Sequence, residues 1–251
     1  MHYIGIDIGS TASKAVILDE NKEKVLHKKI MPSGWNSKET GEEIKRWIKS
    51  LGYGDDDVKI TATGYGRISV PYADKTVTEI TCHAKGAYFL NPEDMTVVDI
   101  GGQDTKVILV QNSNVMDFIM NDKCSAGTGK FLEVMANRLG LSLEEMFEYA
   151  KRGQSVNISS VCTVFAESEV ISLMGKGTPR EDIARGVVDS IVKKVAALAT
   201  RKNASDNYFL TGGFCDSEFT VELLSKKLGA PVKTHPDARF AGAIGAALLA
   251  K

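Results

Sequence analysis

Proline is scarce: six residues in 251, spread singly, with no Pro-rich or low-complexity stretch. A string of loosely tethered modules is therefore not expected. Cysteine is scarce too. Cys82, Cys124, Cys162 and Cys215 are too few and too scattered for the disulfide framework of a small secreted domain. Neither charge is in excess: 31 basic side chains face 32 acidic ones, a formal net charge of −1. The basic surplus of a nucleic-acid binder is thus missing. The longest apolar stretches, such as residues 241–250, fall short of the roughly 18 residues that span a bilayer, so no membrane segment is expected. The opening Met1-His2-Tyr3-Ile4 carries neither a basic segment nor a cleavage signal, as expected of a cytoplasmic chain. What remains is 43% hydrophobic and 25% charged, the balance of a soluble globular protein with one large or two small domains.

An internal repeat organises the chain. Asp7-Ile8-Gly9-Ser10-Thr11-Ala12-Ser13-Lys14 aligns without gaps on Asp99-Ile100-Gly101-Gly102-Gln103-Asp104-Thr105-Lys106, and the apolar residues after each lysine align as well. An apolar run precedes each aspartate, so each copy reads as strand, glycine-bearing turn, strand: a β-hairpin. Further strands are expected at 24–30, 58–63, 114–119 and 208–211. Helices are expected at 37–51, 78–89, 129–139, 142–152, 165–174, 179–199, 216–228 and 238–250. Pro179 suits the first turn of its helix, with Thr178 as N-cap. Asn91-Pro92 marks the boundary between the halves, since proline disfavours a helical residue before it. Strands followed by helices in two copies predict an α/β protein of two layered domains.

The turn glycines allow backbone N–H groups to approach an anion. The aspartate ahead of each turn places one carboxylate per hairpin, and two such carboxylates suit a hydrated Mg²⁺, which takes only one or two protein ligands. A third signal, Leu210-Thr211-Gly212-Gly213, follows a strand and opens a helix, a place where ligands lie at the carboxyl end of a sheet. Any one of these is an ordinary turn; two in register plus the third point to a nucleotide. There is no Walker motif and no G-x-G-x-x-G, which disfavours other nucleotide folds.

This pattern resembles the group of actin, heat-shock ATPases, sugar kinases and acetate kinase along essentially the whole chain. The resemblance implies two ribonuclease-H-like domains with ATP·Mg²⁺ in an interdomain cleft: residues 1–91 with 238–251, and residues 92–237. It places Asp7 and Asp99 near the metal. Gly9, Ser10, Thr11, Ala12, Ser13 and Lys14 form the first phosphate loop, and Gly101, Gly102 and Gln103 the second. Gly212 and Gly213 contact the nucleoside of ATP or ADP, although Phe214-Cys215-Asp216 departs from the small residues usual after them. Small-residue connecting helices are implied at 81–90 and 241–250. Asp7, Asp99 and Gln103 are the candidates for the hydrolytic step.

Cys124 and Cys162 each lie just ahead of a predicted helix, where a thiolate or an anionic iron–sulfur cluster gains from the helix N-terminus. Isolated cysteines are also commonly small buried hydrophobes, and the spacing alone leaves both readings open. The flanking residues carry a more specific likeness. Lys123-Cys124-Ser125-Ala126-Gly127-Thr128-Gly129-Lys130-Phe131-Leu132-Glu133 and Cys162-Thr163-Val164-Phe165-Ala166-Glu167-Ser168-Glu169 resemble two signature segments of one family. It comprises the activators of 2-hydroxyacyl-CoA dehydratases, the ATPase subunits of benzoyl-CoA reductase and the reductases of double-cubane-cluster proteins. The resemblance implies a homodimer sharing one [4Fe–4S] cluster held by Cys124 and Cys162 of each chain. ATP hydrolysis would then drive one electron from ferredoxin or flavodoxin to a partner iron–sulfur enzyme. Cys82 and Cys215 are expected outside that ligand set. Thr63-Gly64-Tyr65-Gly66-Arg67 reads either as a tight loop or as a docking or hinge element. Two rivals of the same fold remain, a small-molecule kinase and a non-redox regulatory ATPase, neither of which needs Cys124 or Cys162.

Overall fold

The computed structural model describes residues 1–159, 162–201 and 206–251. The first hairpin, β1 (His2–Ile8) and β2 (Ala12–Leu18), pairs antiparallel with Asp7 opposite Lys14. β3 (Val25–Pro32) extends it beside β2, and β4 (Val58–Thr63) pairs parallel with β1 and with the short β5 (Lys75–Thr76). The sheet order is β3-β2-β1-β4-β5. In the second sheet β6 (Met95–Ile100), β7 (Thr105–Gln111), β8 (Asn114–Asn121), β9 (Tyr208–Gly212) and β10 (Val232–Lys233) lie in the order β10-β9-β6-β7-β8. Strand for strand this is the first order again, so the duplicated hairpins occupy equivalent central places in two equivalent sheets. The two-residue strands β5 and β10 carry too few residues to give a period in the sequence.

The helices are α1 (Ser37–Ser50), α2 (Glu79–Leu90), α3 (Gly129–Leu139), α4 (Leu143–Arg152), α5 (Thr163–Gly175), α6 (Arg180–Ala199), α7 (Glu218–Leu228) and α8 (Ala241–Leu248). Two carry side-chain caps of the expected type: Asn36 accepts from Lys38 N, and Ser142 forms a reciprocal capping box with Glu145. One expectation fails. Pro179 is itself the N-cap of α6, with ψ 140°, rather than its first helical residue; a proline lacks the N–H that either place would leave unpaired. Among the described residues no helix is long and apolar enough to cross a membrane.

The chain divides into two compact units: Met1–Val97, Ile108–Asp117 and His235–Lys251 form one, Val98–Val107 and Phe118–Thr234 the other. In the first unit the alternation of β1 and β2 sorts side chains between two layers. Ile4, Ile6, Ile8, Ala15 and Ile17 pack with Ile44 and Ile48 of α1, whereas Val16 and Leu18 pack with Ala243, Ile244 and Ala247 of α8. The odd-numbered residues of β1, Tyr3, Gly5 and Asp7, alternate onto the α8 side. There the backbones nearly touch. A Cβ on Gly5 would lie 1.8 Å from Ala243 O, one on Gly86 of α2 1.9 Å from Ala241 O, and one on Gly245 of α8 1.8 Å from Cys82 O. Buried Ala241, Gly242, Ala243 and Gly245 thus let α2, α8 and β1 close on one another at backbone distance.

Because the obstacle at Gly86 is backbone, no side-chain rotation relieves it. Gly86→Ala is therefore expected to lose about 1–3 kcal/mol or more of unfolding free energy, measured by urea denaturation, whereas Gly213→Ala, with open space around it, leaves the midpoint almost unchanged.

Candidate functional site

The first turn joins β1 to β2 through Gly9-Ser10-Thr11. Ser10 and Thr11 are exposed, while Asp7 behind them is 2% exposed. Lys14 stands across the ladder with its Nζ 3.9 Å from Asp7 Oδ2. Ser13, expected in the phosphate loop, is buried instead. Its hydroxyl shares a 2.8 Å hydrogen bond with that of Ser33, which also donates to Gly9 O at 2.6 Å, while Ser33 N donates to Thr11 O. Ser13 therefore braces the turn from behind through Ser33, a partner that sequence reasoning missed. Gly64 closes in from β4 with φ +86°; a Cβ there would meet Asp7 Oδ1 at 2.4 Å. Gly66 N donates to Ile8 O, and Arg67 Nη1 donates to Gly64 O at 3.0 Å. The Thr63–Arg67 segment is thus tied directly to the turn, and its Tyr65 projects outward, 83% exposed.

The second hairpin repeats this plan with one addition. Asp104 stands where the first copy has Ala12, and Lys106, 1% exposed, lies 3.4 Å from Asp99 Oδ2 and donates to Asp104 Oδ1 at 2.8 Å. Thr211 Oγ1 donates to Asp99 Oδ1 at 2.8 Å. Burying an ammonium is tolerable only with such pairing. The aligned lysines are therefore not equivalent: Lys14 faces one carboxylate, Lys106 two. Asp104 was visible in the repeat as a mismatch, but its role required the geometry. Gly101, Gly102 and exposed Gln103 form the turn. Gly212, at φ +84°, lies against Ile100, and Gly213 N donates to Ile100 O at 3.0 Å, which joins the Gly-Gly segment to the strand ahead of that turn. Five residues separate Gly212 from α7, so the pair does not open the helix. Phe214 is buried edge-on against Phe147, their centroids 5.6 Å apart.

The two signature cysteines lie in the second unit. Cys162 is the N-cap of α5. Cys124 is a turn away from α3: Ser125 O accepts from Thr128 N and from the Thr128 hydroxyl, and Gly127 takes φ +92°. Only Cys162 therefore stands at a helix start; the intervening turn was hidden because Gly127-Thr128-Gly129 reads as a helix entrance. The residues after the cysteines meet, Ser125 Oγ and Thr163 Oγ1 being 2.7 Å apart. Asn121 Nδ2 donates to Cys124 O at 2.8 Å and to Ala126 O at 3.2 Å, holding the loop closed. Both cysteines are partly exposed, and Val164 and Phe165, which follow Cys162 in the first turn of α5, are 66% and 67% exposed. Cys82 and Cys215 are buried, and burial pushes the Cys82 thiol up to about 12. No two of the four cysteines are joined by a disulfide.

The Cys124 loop is also bonded to the second hairpin turn. Gly129 N donates to Gly101 O at 2.9 Å, Lys130 N to Gly102 O at 2.8 Å, and Thr105 Oγ1 to Gly127 O at 2.7 Å.

Known proteins resemble the chain along its whole length. The chain is 44% identical over 253 residues to the (R)-2-hydroxyglutaryl-CoA dehydratase activating ATPase of Acidaminococcus fermentans, an alignment covering 100% of this chain and 97% of that protein. The crystal structure of component A of the dehydratase from the same organism superimposes with a TM-score of 0.94, at 42% identity over 100% of this chain and 97% of that one. The activator of 2-hydroxyisocaproyl-CoA dehydratase from Clostridium difficile, solved with bound ADPNP, gives a TM-score of 0.92 at 39% identity, covering 100% and 94%. The α/β fold is that of the actin, heat-shock ATPase and sugar-kinase class, as expected. Residues 4–250 match one family model, and the chain belongs to the BadF/BadG/BcrA/BcrD ATPase family.

Proposed function

We propose that this ATPase is the one-electron donor to a partner iron–sulfur enzyme, a 2-hydroxyacyl-CoA dehydratase before a double-cubane-cluster protein. Cys124 and Cys162 of two identical chains would hold one [4Fe–4S] cluster. The observation that carries this reading is the 2.7 Å contact between the hydroxyls of Ser125 and Thr163, which brings the two cysteine-bearing segments together. Two accessible thiols per chain fit half of the four-thiolate set that such a cluster takes, and a twofold axis supplies the other half. When bound, the cluster supplies a single electron at low potential, with reduced ferredoxin or flavodoxin as its source.

The protein's own part is to bind ATP and to pass the state of the nucleotide to the cysteine loop. Backbone N–H groups at Gly9–Thr11 and Gly101–Gln103 suit phosphate oxygens, Lys14 adds a cation, and Asp7 and Asp99 would hold hydrated Mg²⁺ through its waters. Gly212 and Gly213 would meet the nucleoside. Loss of the γ-phosphate removes contacts from the second turn, which is bonded at Gly101 and Gly102 to the start of α3. Phosphoryl transfer needs mainly positioning and charge neutralisation, and Asp7, Asp99 and Gln103 are the groups assigned to it. In this reading residues 1–91 with 238–251 and residues 92–237 act as the two working domains.

Protein prepared without oxygen is expected to be brown, with four irons per two chains, and Cys124→Ser or Cys162→Ser to abolish both colour and iron. A colourless anaerobic preparation with intact ATP hydrolysis overturns the assignment and favours the kinase or regulatory reading. Iron-free native protein should react with a thiol reagent at Cys124 and Cys162 and spare buried Cys82 and Cys215, read by peptide mass mapping.

Thr105→Val separates nucleotide turnover from electron delivery. A buried carbonyl that loses its donor costs about 1–3 kcal/mol, so ATP-dependent reduction of the partner should fall about tenfold while ATP hydrolysis stays within about twofold. Equal losses in both would remove the Thr105–Gly127 contact from the coupling route.

A further inference from the structure

We propose that His83 is a positioning residue of the ATP-hydrolysing site, whose imidazole keeps the Asp7 and Glu79 carboxylates in working order. His83 is 4% exposed, a polar ring on a helix whose other buried residues are Cys82, Ala84, Gly86 and Ala87. Glu79 lies one turn earlier on the same face, its Oε1 3.8 Å from His83 Nε2. Asp7 comes to the same spot from β1. A Cβ on Gly242 of α8 would stand 2.7 Å from Asp7 Oδ2 and 3.0 Å from His83 Nε2, so both atoms border the space that this glycine leaves empty. Three segments remote in sequence thus deliver a carboxylate, an imidazole and a bare Cα to one point, with Glu79 beside them.

The surroundings keep the ring there. The backbone approaches of Gly86 to Ala241 and of Gly245 to Cys82 flank His83 along α2 and leave that helix no room to shift. Lys14, 3.9 Å from Asp7 Oδ2, is the cation facing the group from β2. A proton on Nε2 would let the ring donate toward the Glu79 carboxylate one turn away or toward the Asp7 carboxylate across the Gly242 space. A buried imidazole is costly unless its polar atoms are engaged, and Nε2 of this one borders the same small space as the Asp7 carboxylate. Catalysis by positioning is sensitive to such supports, since misplacement by about 1 Å can cost about a hundredfold in rate. The inference rests on the assignment of Asp7 to ATP hydrolysis proposed above and stands apart from the proposed cluster.

The test uses the full chain with His83→Ala, His83→Gln, Glu79→Gln and the double variant Glu79→Gln/His83→Ala. ATP hydrolysis is measured at steady state, ADP affinity by calorimetry and stability by thermal unfolding. His83→Ala is expected to lower kcat about tenfold, with KM for ATP and affinity for ADP within about threefold of the parent. His83→Gln, whose amide can still donate, should recover part of the loss. If the two residues act as a unit, the double variant is no slower than the slower single variant. Wild-type kcat in His83→Ala overturns the proposal. So does a parallel fall of kcat, ADP affinity and melting temperature, which marks a packing role alone, and so do losses at Glu79 and His83 that simply multiply. Should His83→Ala fail to fold, His83→Gln decides: lowered kcat with intact ADP affinity supports the proposal, and unchanged kcat overturns it.

Discussion

Three hydrogen bonds between the Gly101–Gly102 turn with its following strand and the Gly127–Lys130 segment are the constraint on which the rest of this protein depends. Gly129 N to Gly101 O, Lys130 N to Gly102 O, and Thr105 Oγ1 to Gly127 O join the segment that follows Cys124 to the second hairpin turn. Two of the three use backbone groups, so they follow from the path of the chain rather than from a side chain that can swing away. Gly129 makes the approach possible: a Cβ there would already stand 3.3 Å from Gly101 O and from Gly102 Cα. These bonds tie the turn to the start of α3 and to the Cys124 loop, which Asn121 holds closed and which meets α5 through Ser125 and Thr163.

The two hairpins show how duplication has been put to unequal use. In the first, Lys14 faces the single carboxylate of Asp7, and the turn is braced from behind by Ser33. In the second, Lys106 is buried between Asp99 and Asp104, and Thr211 fixes the other oxygen of Asp99. A buried lysine with two acidic partners contributes charge balance inside the protein, whereas a partly exposed one with a single partner retains charge for a ligand. The same strand plan thus yields two turns with different ion pairs behind them, and the one backed by the buried Lys106 is bonded to the cysteine loop.

Around Asp7 the governing factor is the absence of side chains. Gly5, Gly86, Gly242 and Gly245 let β1, α2 and α8 approach at backbone distance, and His83 and Asp7 share the space left by Gly242. Larger residues there would separate the layers and move the carboxylate, so the small-residue composition of α8 is a requirement of the site as much as of the core.

The sequence alone determined what depends on local pattern. The apolar runs flanking the in-register Asp-Ile-Gly…Lys copies marked both hairpins, and apolar spacing marked the helices within a few residues. The residues around Cys124 and Cys162 pointed to the family. Only the tertiary structure decided which of these residues meet. Ser125 and Thr163 lie 38 positions apart and Thr211 and Asp99 112 positions apart, and no local period encodes such contacts. The two-residue strands β5 and β10 exist only because a parallel neighbour offers them a ladder. The inequality of Lys14 and Lys106, the turn that separates Cys124 from α3 and the meeting of His83 with Asp7 share one physical reason. Each depends on the burial and distance of groups from separate elements, and those quantities are fixed only when the sheets and helices have packed.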